Sequence, residues 1–227
     1  MCGNFIINKA DMRRKAKNRA LPSDVSVDHL IEGSLLPGAS VSIIHQVNDA
    51  VRVNPAVWWL LLDEDSAKPN YRYASFNSRS DKLHESRALA YKPYRESRCI
   101  IPATSFVEGL GDKKHYFKIE LLDEPVLFGG LFREWTDKDS GEIIYSASII
   151  TLPPVAQWQD IHPKSFPLLL PADNDGLISQ WLDRSMTDTE VFKELLEPQI
   201  RVRQRITPIQ GARNYAAAGE SFEIEAA

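Results

Sequence analysis

The sequence predicts a single α+β domain built on a curved, mostly antiparallel, barrel-like β-sheet with peripheral helices. Two observations support this fold class. Seven segments between residues 41 and 152 are rich in β-branched and aromatic residues and are bounded by Pro, Gly, Asp and Asn. Helical patterns are fewer and lie mostly outside that region. We expect the domain to span residues 1–215 and residues 216–227 to form a loose C-terminal tail.

The strand and helix predictions follow the chain in order. The predicted strands are VSIIHQV (41–47), AVWWLLL (56–62), RCIIPA (98–103), TSFVEG (104–109), HYFKIELL (115–122), VLFGGLFREW (126–135) and IIYSASIITL (143–152). Residues 9–19 favour a basic helix, and residues 173–182 place four apolar side chains on one helical face. A capping box at 187–190 predicts a further helix that ends near residue 196.

The composition is that of a globular protein with its own core. Of the 227 residues, 43% are hydrophobic and 26% are charged. The longest apolar run, VWWLLL at 57–62, is far shorter than the roughly 18–20 residues of a membrane span. No signal peptide precedes the basic stretch, and two cysteines provide neither a disulfide framework nor a zinc site. We therefore expect a cytoplasmic monomer without metal, cofactor or membrane partner.

The charge is unevenly distributed, although the net charge is −4. Residues 9–19 contain six basic residues and one acidic residue, and residues 71–98 contain seven basic and three acidic residues. These segments favour a basic face for phosphates on a molecule that is acidic as a whole. The simpler alternative is that both segments are only solvated surfaces.

The chain begins MCGNFI, which places one of its two cysteines beside the initiator methionine. Removal of Met1 would leave Cys2 as a 1,2-aminothiol, with an amine pKa of about 7.7–8.0 and a thiol pKa of about 8.5. Such a residue attacks an aldehyde through nitrogen and then closes a five-membered thiazolidine through sulfur. Only a chain terminus offers both groups on one residue. The alternative is that a cysteine stands at position 2 by chance and has no role in function.

Three further segments carry candidate partners for this nucleophile. FNSRSD places Asn77 and Arg79 on one side of an extended segment, as a neutral hydrogen-bonding group and a phosphate-binding fork. In TSFVEG, Glu108 ends an alternating row that includes Phe106, and burial there would raise the pKa of its carboxyl. His162 lies in the loop DIHPKSFP. The alternatives are a solvated strand end for Glu108 and a structural role for His162.

Five motifs in order resemble the SOS response-associated peptidase family, the abasic-site DNA–protein crosslinking proteins. They are MCGNF, NSR, RCIIPATSFVE, FGGLFREW and IHPKSFPLLL, and they span residues 1 to about 182. The resemblance implies a single α+β domain whose cysteine lies in a cleft for single-stranded DNA or a single-strand–double-strand junction. The ring-opened aldehyde of an abasic sugar would be trapped there as a thiazolidine.

The resemblance also implies a role for each matching residue. Cys2 would be the nucleophile, Asn77 would position the sugar, and Arg79 would hold a neighbouring phosphate. Glu108 would move protons during Schiff-base formation and ring closure, and His162 would assist sugar ring opening and release of the crosslink. The resemblance further implies a lyase-type crosslinking enzyme. The family name implies that the protein removes Met1 itself as a peptidase; the alternative is removal by an ordinary aminopeptidase.

Several positions depart from the family pattern, and most of them are residues expected to contact DNA. Asn4 stands where an arginine is usual, so its phosphate contact is in doubt. Trp58 matches the first tryptophan of a family stretch whose aromatic residues can stack on a base, but WWLLLDED lacks the proline and second tryptophan of that stretch, and Trp59 is the candidate substitute. Lys164 replaces an arginine in a loop one residue longer. All four are expected on the DNA-binding surface. Cys99 is interpreted as a core thiol.

Two other function classes remain open at the level of sequence. Glutamine amidotransferase domains also begin with MCG, which allows an N-terminal-nucleophile amidohydrolase or glutaminase, although their glycine-rich N-G-E motif and R-G-P segment are absent. A non-covalent single-strand DNA-binding module would use aromatic stacking and a basic groove without Cys2. A denaturant-resistant adduct with abasic DNA distinguishes these possibilities.

Overall fold

The computed structural model describes residues 3–16, 21–22, 25–122 and 124–226. Within these residues it contains fourteen strands and three α-helices. The strands are β1 (Phe5–Ile7), β2 (Gly33–Leu35), β3 (Ser40–Val47), β4 (Ala50–Val57), β5 (Asn77–Arg79), β6 (Arg98–Ala103), β7 (Ser105–Gly109), β8 (Tyr116–Leu121), β9 (Val126–Thr136), β10 (Ile143–Leu152), β11 (Phe166–Pro167), β12 (Gln204–Gly211), β13 (Asn214–Ala217) and β14 (Phe222–Ile224). The helices are α1 (Lys9–Ala16), α2 (Tyr91–Glu96) and α3 (Asp175–Leu182).

Five strands close into a barrel. In the order β10, β4, β3, β6, β9, each strand pairs with the next, and β9 pairs again with β10. Most of these pairs are antiparallel, whereas β10 runs parallel to β4 and to the short strand β5. Closure leaves the five strands without a free edge, so their backbone groups pair within the ring.

A second sheet wraps around one side as a half-barrel. Its order is β13, β12, β8, β7, β1, β2, with β14 also paired to β12. Strands β6 and β7 are nearly continuous in the chain, so the chain passes from one sheet directly into the other. The aromatic rings of Phe5, Phe106 and Phe128 meet at this junction, with centroids 5.8 Å and 5.3 Å from Phe128. The two sheets therefore share one hydrophobic core.

The FGGL sequence in β9 is explained by close packing on both faces of the strand. A Cβ on Gly129 would lie 2.5 Å from a methyl carbon of Leu168. A Cβ on Gly130 would lie 3.1 Å from Sγ of Cys99 and 3.1 Å from the carbonyl oxygen of Ser148. Neither position has room for a larger residue.

The fold class predicted from the sequence is confirmed, and several element boundaries are corrected. Strand β4 ends at Val57, so the buried WWLLL stretch lies after the strand instead of within it. The segment after the predicted capping box forms two short 3₁₀ turns instead of an α-helix, and the residue that precedes the first turn, Thr189, makes no side-chain cap. The tail prediction is wrong for β14, whose residues pair with β12 between Gln204 and Ile206.

Two residues of the predicted basic segments are buried structural cations. The ammonium group of Lys15 donates to the carbonyl oxygens of Thr104 and Leu121. The guanidinium of Arg98 is 1% exposed and donates to five carbonyl oxygens, those of Tyr94, Arg95, Trp181, Asp183 and Met186. Burial lowers the pKa of Arg98 to about 10. Counting these two residues as part of a DNA-binding face is therefore wrong.

Among the described residues, no helix combines the length and the apolar character that crossing a membrane requires.

Candidate functional site

The start of the chain lies beside a small cavity. Cys2 falls outside the described residues, so the structure of this region begins at Gly3. Gly3 and Asn4 line a cavity of about 250 Å³ together with Glu108 and His162. These residues come from three distant parts of the chain, and the fold alone brings them together.

Pairing between β1 and β7 fixes the chain start relative to Glu108. Phe5 lies opposite Phe106 in the antiparallel register, and the amide of Val107 donates to the carbonyl oxygen of Asn4 at 2.9 Å. Both phenylalanines are fully buried, so a shift of register would remove two rings from the core. Glu108 is thereby held beside the first described residues of the chain.

Glu108 and His162 form a buried pair. Oε2 of Glu108 lies 3.6 Å from Nδ1 of His162, and the two residues are 4% and 6% exposed. The loop that carries His162 is anchored by Trp158, whose buried indole packs on Phe166 and donates to Gln204. Both groups border a cavity that opens to solvent, and a carboxyl and an imidazole are the groups that most often serve in general acid–base catalysis.

The tautomer of His162 follows from its backbone contact. Nδ1 lies 2.6 Å from the carbonyl oxygen of Gly109, which can only accept a hydrogen bond, so Nδ1 carries the proton. Burial lowers the pKa of His162 below its ordinary value, although the Gly109 contact acts in the opposite direction. At neutral pH the ring is therefore uncharged, and Nε2 is its basic atom.

Asn4 is a buried structural residue at the edge of this cavity. Its amide nitrogen donates to the carbonyl oxygen of Ala212 at 2.6 Å and to the hydroxyl of Tyr215 at 3.0 Å. The hydroxyl of Ser34 also contacts Asn4 and Tyr215. The side chain thus connects β1 to the turn between β12 and β13. An uncharged, enclosed amide does not fit the phosphate contact expected at this position.

Asn77 and Arg79 lie on β5 and border a larger cavity of about 610 Å³. Strand β5 is held parallel to β10, with Asn77 opposite Ile149. Asn77 is half-buried, whereas Arg79 is exposed and forms a two-point ion pair with Asp81. This pair lowers the pKa of the Asp81 carboxyl. Neither β5 residue lines the cavity of Glu108 and His162.

A third cavity, of about 380 Å³, adjoins the cavity of Asn77 and Arg79. It is bordered by Arg79 on one side and by Lys164 on the other. Nζ of Lys164 also lies close to Gly111, which lines the cavity of Glu108. The predicted site residues Asn77, Arg79, Glu108, His162 and Lys164 are therefore distributed over three cavities, of which the first two share Arg79 and the last two lie on either side of Lys164.

The two tryptophans expected to stack on a base are enclosed. Trp58 is fully buried against Phe5 and donates its indole hydrogen to the carbonyl oxygen of Phe76, next to Asn77. Trp59 is 7% exposed and donates to the carbonyl oxygen of Asn70. Trp58 has no face open to a base, so the expected stacking role does not fit its position.

The exposed aromatic residues nearby are tyrosines that our sequence interpretation missed. Tyr71 is 73% exposed with its ring against Trp59, and Tyr73 is 61% exposed at the border of the Asn77 cavity. The sequence signal was present as NYRYAS, in which Arg72 separates two aromatic residues. Alternating aromatic and basic residues are typical of single-strand binding surfaces.

The protein combines a closed barrel with a half-barrel, and its first described residues, Gly3 and Asn4, line a cavity with a buried carboxyl and imidazole. The chain belongs to the SOS response associated peptidase family, whose family model matches residues 1–214. The family resemblance drawn from the five motifs is thereby confirmed.

Curated relatives carry a common name. The chain is 32% identical over 144 residues to the abasic site processing protein YobE of Bacillus subtilis, which covers 62% of this chain and 63% of YobE. It is 25% identical over 193 residues to the abasic site processing protein HMCES of Pongo abelii, which covers 70% of this chain and 54% of that protein. The matches span less than two thirds of the length of these relatives.

Solved structures share the fold. A protein from Bacteroides thetaiotaomicron superposes with a TM-score of 0.67 at 23% identity, covering 92% of each chain. A protein from Bordetella bronchiseptica gives a TM-score of 0.64 at 20% identity, covering 87% of this chain and 94% of the other. Both crystal structures contain the same barrel-based architecture.

Proposed function

We propose that this protein binds abasic sites in single-stranded DNA, or at a junction with duplex DNA, and captures them covalently through Cys2. The curated relatives are named for abasic site processing, and the chain belongs to the same family. The observation that carries the proposal is that Gly3, which follows Cys2 in the chain, lines one cavity with buried Glu108 and His162.

The proposed reaction uses both groups of an N-terminal cysteine. The amine of Cys2 adds to the aldehyde carbon of the ring-opened sugar, and loss of water gives a Schiff base. The thiol then adds to the same carbon and forms the carbon–sulfur bond of a thiazolidine. One water molecule leaves in total, so the step needs no oxidant or reductant. The product protects the lesion because the reactive aldehyde is consumed.

Glu108 and His162 supply the proton transfers that this sequence requires. A carboxyl delivers a proton to the departing hydroxyl and takes one from the thiol as the ring closes. The basic Nε2 of neutral His162 is suited to take the proton of the sugar hydroxyl when the ring opens. Arg79 and Lys164 border the adjacent cavity and hold two phosphates of the DNA, whereas Asn77 lines the cavity beyond Arg79, away from the reacting sugar.

The protein must first expose the amine of Cys2. We propose that Met1 is removed by the protein itself, with the same cysteine as nucleophile, in keeping with the peptidase name of the family. Mass spectrometry of the protein after expression in a host without methionine aminopeptidase activity tests this step. Retention of Met1 in that host would assign the cleavage to the cellular aminopeptidase instead.

Non-covalent strand binding is a second candidate because Tyr71 and Tyr73 are exposed beside Arg72. A denaturing gel separates the two functions. Single-stranded DNA with one uracil is treated with uracil glycosylase, incubated with the protein and heated in detergent. We expect an adduct for the wild type and none for Cys2→Ala. Cys99→Ser should still form the adduct, because the Cys99 thiol is buried and burial raises its pKa. An adduct that depends on Cys99, or no adduct at all, would overturn the proposal.

A further inference from the structure

Three exposed cations surround the cavity of Glu108 and His162, and two of them belong to no motif of the sequence. Lys113 lines the cavity directly, and Arg213 follows Ala212, which also lines it. Lys164 lies over the same loop as Lys113, because a Cβ on Gly111 would be 3.6 Å from its Nζ. None of the three forms an ion pair with any residue that the structure describes.

The backbone at Lys113 is held in an unfavourable conformation. Its φ angle is 62°, in the left-handed region that disfavours residues with a Cβ. The carboxylate of Asp112 maintains this turn by accepting hydrogen bonds from the amides of Lys114 and His115, both at 2.9 Å. Glycine would fit the turn without strain. This turn places Lys113 at the border of the cavity.

Arg213 is brought to the cavity by the hairpin of β12 and β13. Gly211 pairs with Asn214, so Ala212 and Arg213 form a two-residue turn. Asn4 ties this turn to the start of the chain through the carbonyl oxygen of Ala212. Asn4 itself contributes no charge, whereas Arg213 is exposed one residue from its contact point.

We propose that Lys113 and Arg213 form a cationic rim that binds backbone phosphates of the DNA strand whose abasic sugar enters the cavity. This inference rests on the proposed function and adds to it the residues that hold the strand at the cavity mouth. Unpaired cations around a concave site focus the electrostatic potential and raise the local concentration of phosphates. The buried carboxyl of Glu108 makes the interior less favourable for a phosphate, so the phosphates are held at the rim.

The test measures non-covalent binding with the Cys2→Ala protein as the background. Fluorescence anisotropy with a labelled single-stranded oligonucleotide containing one abasic site is recorded over a series of salt concentrations. Each phosphate contact contributes about 0.7 to the slope of log affinity against log salt. We expect Lys113→Gly and Arg213→Ala each to flatten the slope by about 0.7. Lys113→Gly should do so without lowering the melting temperature, because it relieves the strained turn.

Arg205→Ala is the matched control, since Arg205 is an exposed arginine that precedes the same turn, on β12, but is paired with Glu223. We expect it to leave the slope unchanged. If Lys113→Gly and Arg213→Ala both give the same slope of log affinity against log salt as the control, the proposed cationic rim is contradicted. A charge reversal, Arg213→Glu, should weaken binding further than Arg213→Ala, and equal affinities would likewise contradict it.

Failure of the rim and failure of the proposed function are distinguishable. If the wild-type protein forms the adduct while both rim variants keep the control slope, the rim is excluded and the covalent function stands. If the slopes flatten as expected but the wild type forms no adduct, the rim is supported as a phosphate-binding site and the covalent function is excluded.

Discussion

His162 and Glu108 are 54 positions apart in the chain, yet Nδ1 of the imidazole lies 3.6 Å from Oε2 of the carboxyl. The imidazole is fixed by its short hydrogen bond to the carbonyl oxygen of Gly109, the residue that follows Glu108. The end of β7 therefore supplies the carboxyl and also orients its partner. This arrangement fixes which nitrogen of His162 is basic before any substrate arrives.

Glu108→Gln should slow crosslink formation by a factor of about 10² to 10⁴, the usual contribution of general acid–base catalysis. The amide has nearly the same shape as the carboxyl but cannot exchange protons with the departing hydroxyl or the thiol. Time courses of adduct formation on denaturing gels provide the rate, and anisotropy with the Cys2→Ala background provides the affinity. An unchanged rate would exclude Glu108 from the chemistry. A loss of affinity without a loss of rate would instead assign it to DNA binding.

The pH dependence of crosslinking should contain a contribution from His162 on the acid side. The neutral amine of Cys2 is lost below about pH 8, which gives one protonation step. Burial lowers the pKa of His162, so its neutral form persists below its ordinary value of 6.5 and is lost only at still lower pH. We therefore expect a second, steeper decrease in rate below pH 6.5, and His162→Gln should remove it. A profile with the same acid limb in both proteins would contradict this role.

The ion pair between Arg79 and Asp81 should restrain DNA binding. Arg79 must share its guanidinium between Asp81 and a phosphate, because Nε and one of its two Nη groups already donate to the carboxylate. Asp81→Ala should therefore tighten binding, and Arg79→Ala should weaken it and flatten the salt slope by about 0.7. Glu223→Ala is the control, since it removes one negative charge from a similar exposed pair with Arg205. Equal changes in DNA affinity for Asp81→Ala and Glu223→Ala would show that only the net charge of the protein matters, and not the release of Arg79.

Arg98→Lys should destabilise the fold by about 3 kcal/mol and leave DNA binding unaffected. The guanidinium donates to five carbonyl oxygens in the core, and a lysine cannot reach all of them. The measurement is urea denaturation, with the exposed Arg87→Lys as a control that should change stability by less than about 0.5 kcal/mol. Normal stability together with a flattened salt slope for Arg98→Lys would return Arg98 to the DNA-binding surface.

The sequence by itself determined the fold class, most of the central strands and the family. The pattern of β-branched and aromatic residues placed β6 and β10 at their observed bounds, and β10 lies between clear turn residues, Gly141 before it and Pro153 after it. It also identified Glu108 and His162 as candidates and assigned Cys99 to the core, where it is fully buried. These features depend on patterns within short segments of the chain, so the sequence alone is enough to predict them.

The tertiary structure alone decided which cations and aromatic residues are available at the surface. Lys15 and Arg98 read as surface charges in a basic segment, yet each is enclosed and satisfied by carbonyl oxygens from distant elements. The sequence predicted that Trp58 stacks on a base, but Trp58 is buried in the core, whereas Tyr71 is exposed. Arg213 gained a position beside the site only because the β12–β13 turn is hydrogen-bonded to Asn4. Burial depends on long-range packing between segments far apart in the chain, and no local pattern encodes it.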